Sequence, residues 1–246
     1  GEVADGEFGG QPKGHHLVRW PGVRRHAASL PSVGGGCWVG PCPGSPGVRG
    51  GGADRWSGNI VAMAVLVDEA VWPWRGAHWA HLVSDESVAE LHAFAGRLGL
   101  RRMAFQGDHY DVPAEVREWA LTLGAEAVRG RDLVRRLRAA GLRLGPAERP
   151  GRWAEVWRGE STGGRPEPGS AVPEALAVAL AGVEADWGRA EAVAYERSFG
   201  TVDEVVLVVE ADGGLGAAGR PPDGVEAWCL EDRRVELLLR IQAAVV

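Results

Sequence analysis

Between Met63 and Gly145, short apolar runs alternate with amphipathic segments that each stop at a glycine. Ala64-Val65-Leu66-Val67 is wholly apolar and reads as a buried strand that Asp68-Glu69 ends. Ser84-Asp85-Glu86-Ser87 offers caps and an acidic first turn for a helix. Val88, Leu91, Ala95 and Leu98 share one face of that helix, and Gly99 stops it. Arg102 to Gln106 reads as a second strand. Pro113 suits the first turn of a second helix, which carries Val116, Trp119, Ala120 and Leu123 and stops at Gly124. Ala125 to Val128 is a weaker third strand, and Gly130-Arg131 leads into a third helix ended by Gly141. The alternation predicts an α/β domain over 63–145: a small parallel three-stranded sheet with covering helices.

In open sheets of this kind, ligands bind outside the carboxyl ends of the strands. The residues delivered there are Asp68, then Asp108, His109 and Asp111, then Arg129. Four of the seven histidines fall in this stretch. His109 lies in a loop and titrates near neutrality, so it suits a base or a metal ligand. Asp111 either orients it or, with Asp68 and His81, completes a site for one divalent ion. The competing reading is that Asp111 caps the Pro113 helix and His109 bonds a backbone carbonyl. His78 and His81 would share a face only on a helical turn, and Trp72-Pro73-Trp74 precedes them as a loop. Asp85 and His92 are about 10 Å apart along a helix, too far for one ion. Asp85 as a cap and His92 packed at the sheet edge account for both.

Arg129, Arg131, Arg135, Arg136, Arg138 and Arg143 are relieved only by Asp132. Arg131, Arg135 and Arg138 align on one face. That face is either solvated or a surface for a phosphate-containing ligand or nucleic acid. No Walker loop, dinucleotide fingerprint, serine elbow or HExxH motif occurs. Gly213-Gly214-Leu215-Gly216 follows a strand, but with no helix after it a phosphate cradle is not expected.

Residues 1–62 are rich in Gly, Pro and Arg without periodicity. They read as a disordered arm or as upstream sequence ahead of a true start at Met63. His15, His16, Cys37 and Cys42 within it read as chance residues. Three cysteines give no disulfide framework, and with no apolar run of membrane-spanning length the expected location is cytoplasmic. Residues 146–170 read as a linker. Residues 171–246 read as a smaller α+β extension: a long helix from Pro173 through Ala194, strands at Val205–Val209 and Val225–Leu230, and a final helix at Val235–Ile241. Trp153 and Trp157 are placed to dock the linker on a neighbour. From residue 146 onward, eighteen acids face ten bases, an excess suited to contact with the arginine-bearing helix.

Asp68, His81, Asp85, Glu90-Leu91-His92, Gly99, His109-Tyr110-Asp111, Arg117 and Gly124-Ala125 together resemble the bacterial and phage domain of unknown function 4031. The segments HLVSDESVAELHAFAGRLGL and GDHYDVPAEVREWALTLGA carry the likeness, which covers about a third of the chain. The resemblance implies no established activity, and its short members favour Met63 as the start. The functional expectation is a metal-dependent hydrolase, with Asp68, His81, His109 and Asp111 around a divalent ion. The alternative is a non-catalytic module that binds nucleic acid or a partner protein through helix 131–143.

Overall fold

The structure is a computed structural model that describes residues 65–159, 163–217 and 219–242. The expected arm at 1–62 and the start at Met63 lie outside those residues. The described residues belong to one compact unit.

The first sheet contains β1 (Val65–Val67), β2 (Trp72–Trp74), β3 (Ala77–Ser84), β4 (Tyr110–Pro113) and β5 (Glu126–Ala127). Strand β3 is its hub. Along one edge it pairs antiparallel with β2 and then β1; along the other it pairs antiparallel with β4. Only β1 and β5 run parallel. The sheet is therefore mixed, not the parallel three-stranded one expected. Two local features account for this. Arg102–Ala104 forms a single 3-10 turn rather than a strand. Arg75 and Gly76, both at positive φ, close β2 and β3 into a tight hairpin, for which paired left-handed residues are suited.

The three expected helices are present as α1 (Val88–Arg97), α2 (Ala114–Thr122) and α3 (Gly130–Ala139). Ser87 caps α1: its hydroxyl accepts the Glu90 N–H at 3.1 Å. Side chains alternate across a strand. Val65, Val67, Ala80, Leu82, Tyr110 and Val112 therefore face one way, where they pack with Leu91 and Phe94 of α1 and Val116 and Ala120 of α2. Leu66 and Val83 face the other way, and α3 lies against β3 with Leu133 and Leu137 buried.

The second sheet has the order β11-β12-β9-β8-β6, antiparallel throughout. Its strands are β6 (Ala154–Arg158), β8 (Glu191–Phe199), β9 (Val202–Glu210), β11 (Val225–Leu230) and β12 (Arg234–Gln242). Two short strands, β7 (Val183–Glu184) and β10 (Gly216–Ala217), form a separate pair. Three expectations are corrected here. Residues 154–158 of the expected linker form an edge strand. The long helix shrinks to α4 (Glu174–Ala181), and Glu191–Phe199 is strand β8. The expected final helix is strand β12, held between β9 and β11.

Alternation sorts the second sheet as well. Val205, Leu207, Val209, Val235 and Leu237 pack with Leu176 and Leu180 of α4. Glu204, Val206, Val208, Glu236, Leu238 and Trp228 occupy the opposite face, which meets the first sheet's domain. There Arg102 Nε donates to Glu226, the Met103 N–H to Glu236, Arg197 Nη1 to the Phe105 carbonyl, and Trp228 Nε1 to the Leu100 carbonyl. Trp153 docks as expected, donating to the Met103 carbonyl at 2.8 Å. Among the described residues, acids of the second sheet meet Arg101 and Arg102 and the arginines of their own sheet.

Candidate metal centre

His81 and Asp111 are directly opposed in the β3–β4 ladder. Opposed residues project to the same face, so the ladder itself brings them together. His81 Nε2 lies 3.9 Å from Asp111 Oδ1. His109 enters from the turn before β4, with its Nε2 3.5 Å from the same oxygen. The two imidazoles meet edge to face, centroids 5.4 Å apart. One ligand atom from each of His81, His109 and Asp111 lies within 4.8 Å of the others.

Behind each histidine stands a buried carboxylate. Asp68, just past β1, accepts from the His81 backbone N–H at 2.6 Å and pairs with its ring Nδ1 at 2.8 Å. Asp108 pairs with His109 Nδ1 at 2.6 Å. An ionised carboxylate can only accept, so each Nδ1 carries a proton and each Nε2 points towards Asp111. Asp108 is itself clamped by Arg143 Nη1 at 2.7 Å and the Leu144 N–H at 3.0 Å. Burial alone would raise its pKa, but the His109 bond and these donors outweigh burial and hold it at about 2. Burial pulls His109 down, yet its bonds to Asp108 and Asp111 prevail and push it up to about 9. Desolvation raises Asp111, but the bond to His109 and the nearby histidine charges hold it below the usual carboxylate range.

Local sequence sets this geometry. The Gln106 N–H closes a turn onto the His109 carbonyl. Gly107 stands there at φ +94°, where a Cβ would come within 2.8 Å of Leu144 and Pro150. At the start of α3, a Cβ on Gly130 would meet Asp68 Oδ2 at 3.3 Å. Helix α3 and the residues after it thus brace both carboxylates, one at each end. Arg117 Nε donates to the Asp68 carbonyl at 2.6 Å. Trp72 stands edge-on to His81, centroids 6.0 Å apart.

His81, His109 and Asp111 thus come together, with Asp68 behind His81 rather than in the ligand group. The cluster is not at the carboxyl ends of parallel strands: His81 and Asp111 lie within the antiparallel β3–β4 ladder. His78 and His81, three apart on a strand, face opposite ways. Asp85 is no cap but pairs with Arg136 at 2.5 Å, and His92 bonds the Tyr110 hydroxyl at 2.9 Å in the core. Asp111 does not cap α2, which begins after Pro113. Arg129 sits at the N-cap of α3. Arg131, Arg135 and Arg138 are exposed and apart from the cluster. Sequence reasoning places Asp108 at the rim without a role; the Gly107-Asp108-His109 run is the signal available for it.

Compared with curated proteins and with solved structures, the chain finds no match. A family model described as "Protein of unknown function (DUF4031)" matches residues 65–140. That span holds every side chain of the histidine–carboxylate cluster, and by this match the chain carries a DUF4031 domain over residues 65–140.

Proposed function

We propose that the cluster binds one divalent metal ion and that the protein is a metal-dependent hydrolase acting on phosphate esters. The observation that carries this reading is the pair of imidazoles, each locked at Nδ1 by a carboxylate, with both Nε2 atoms turned to a third carboxylate. Metal-binding histidines are characteristically oriented in this way. Ligands about 2.0–2.2 Å from one ion stand roughly 3–3.6 Å apart. The observed 3.5 and 3.9 Å need only slight closure. Two nitrogens and one oxygen suit borderline zinc, with the harder manganese as a second candidate, and three protein ligands leave a position open.

A bound ion supplies Lewis-acid activation of water and of a phosphoryl oxygen. Asp68 and Asp108 fix the orientations of the two rings. The Asp111 side chain is 50% exposed, so solvent and substrate reach the cluster from its side.

The test is metal content of the full chain after equilibration with zinc or manganese. One ion per chain is expected, lost in His109→Ala and weakened about 10–100-fold in Asp108→Asn. Ion-dependent cleavage of bis(p-nitrophenyl) phosphate is the expected activity. Failure to bind an ion, or binding unchanged in His109→Ala, removes the metal reading. Bound ion without cleavage of any phosphate ester removes the hydrolase reading alone. The exposed Arg131, Arg135 and Arg138 support the second reading, a non-catalytic nucleic-acid or protein surface. Salt-sensitive oligonucleotide binding without an ion, lost in Arg131→Ala with Arg135→Ala, would favour it.

A further inference from the structure

Trp72 is opposed to Trp79 in the β2–β3 ladder, and Trp79 lies two residues before His81. Side chains alternate across a strand, so Trp72, Trp74, Trp79 and His81 share one sheet face with Asp111. The face of the hairpin is thus a strip of indoles that ends at the metal cluster. Trp72 is 46% exposed and Trp74 38%. Large apolar groups exposed beside a polar site mark a contact surface. The strip is held rigid: Trp74 packs edge-on to Trp79 at 5.1 Å, and Trp79 Nε1 donates to the Trp74 carbonyl. Residues two apart on a strand stand about 6.6 Å apart. That is roughly twice the rise between stacked bases, so Trp72 and Trp74 suit separate bases of an extended strand rather than a stacked pair. Arg75, over the Trp74 ring at 4.6 Å, brings a cation to the same strip.

We infer that this hairpin is a stacking platform that delivers a single-stranded nucleic acid to the His–Asp cluster. The inference rests on the phosphate-ester reading and names its substrate class. Indoles supply sequence-tolerant stacking, and the cluster takes the phosphate.

The test compares full-length protein binding to a short labelled oligothymidylate and to an abasic strand of equal length, with and without manganese. The oligothymidylate is expected to bind at least about tenfold tighter. The preference should collapse to within about threefold in Trp72→Ala and largely persist in Trp72→Phe. Unchanged metal content in Trp72→Ala shows that the fold and the cluster survive. Equal affinity for both strands, or a preference that survives Trp72→Ala, overturns the platform. So does equal binding of a duplex or of free thymidine monophosphate. Ion binding without base preference removes the platform and leaves the metal reading. Base preference in a chain that binds no ion keeps the platform and removes the metal reading.

Discussion

Asp68 serves His81 twice, through ring and backbone, and its Oδ2 lies 3.3 Å from where a Cβ on Gly130 would stand. Gly130→Ala therefore separates two effects. Alanine at a helical position gains up to about 1 kcal/mol of helix propensity, so the midpoint of denaturation should hold or rise. The new Cβ at 3.3 Å forces Asp68 aside by a few tenths of an ångström, and metal affinity should drop several-fold. Affinity that tracks stability instead would remove Gly130 as a positioning residue. A second residue makes stability depend on pH. His92 is packed against Phe105 at 4.5 Å, and its Nε2 is buried without a hydrogen-bond partner. Burial, then the charges of Arg102 and Arg240, lower its pKa to about 2. The unfolded chain takes up that proton near 6.5, whereas the fold refuses it down to about 2. Stability is thus lost as pH falls through this window, by up to about 1.4 kcal/mol per pH unit from this group. His92→Phe should flatten the curve of unfolding free energy between pH 6 and 4 relative to the parent. Parallel curves would show that His92 titrates alike in both states.

Elements differed in how far the sequence revealed them. The three helices of the first domain carry their own punctuation: Ser87 at one start, Pro113 at another, and Gly99, Gly124 and Gly141 just past the ends, all at positive φ. Such signals are local, so they were legible. Strand β3 was not, because its second half is buried on both faces and shows no alternation of polar and apolar residues. Its available signal was the Arg75-Gly76 turn, with Trp72 and Trp79 symmetric about it. Strand β12 reads as a helix for the opposite reason. Leu, Glu and Arg favour helix in isolation, but pairing with β9 and β11 overrides propensity. The sequence brings His81, His109 and Asp111 together as candidates, but it also counts Asp68 as a ligand, whereas Asp68 stands behind His81. Asp68, His81, His109 and Asp111 were named as candidates on a parallel rim, whereas a cross-strand pair brings His81 to Asp111. Register of that kind is a tertiary fact that no local pattern specifies.

At the scale of the molecule, the second sheet is built as a lid with two unlike faces. Its α4 side is apolar, whereas its other side places Glu204 and Glu236, both fully buried, beneath Arg197, Arg234 and the first domain. Glu236 is the joint: one oxygen accepts from Arg234 Nε at 2.6 Å and the other from the Met103 backbone N–H at 2.9 Å. Arg102, only 1% exposed, is likewise neutralised from the second sheet through Glu226. Glu236→Ala leaves Arg234 to Glu210 alone and strips the Met103 N–H of its acceptor, so it should cost about 1–3 kcal/mol. Because the loss falls on a contact between the two sheets, both should melt together in the parent, in one transition by near-UV and far-UV circular dichroism. In Glu236→Ala the same probes should part, with Trp228 and Trp153 fluorescence reporting release of the joint before the helices of the first domain unfold. A variant that still melts in one step, at an undiminished denaturant midpoint, would show that apolar packing rather than this charged seam joins the two sheets.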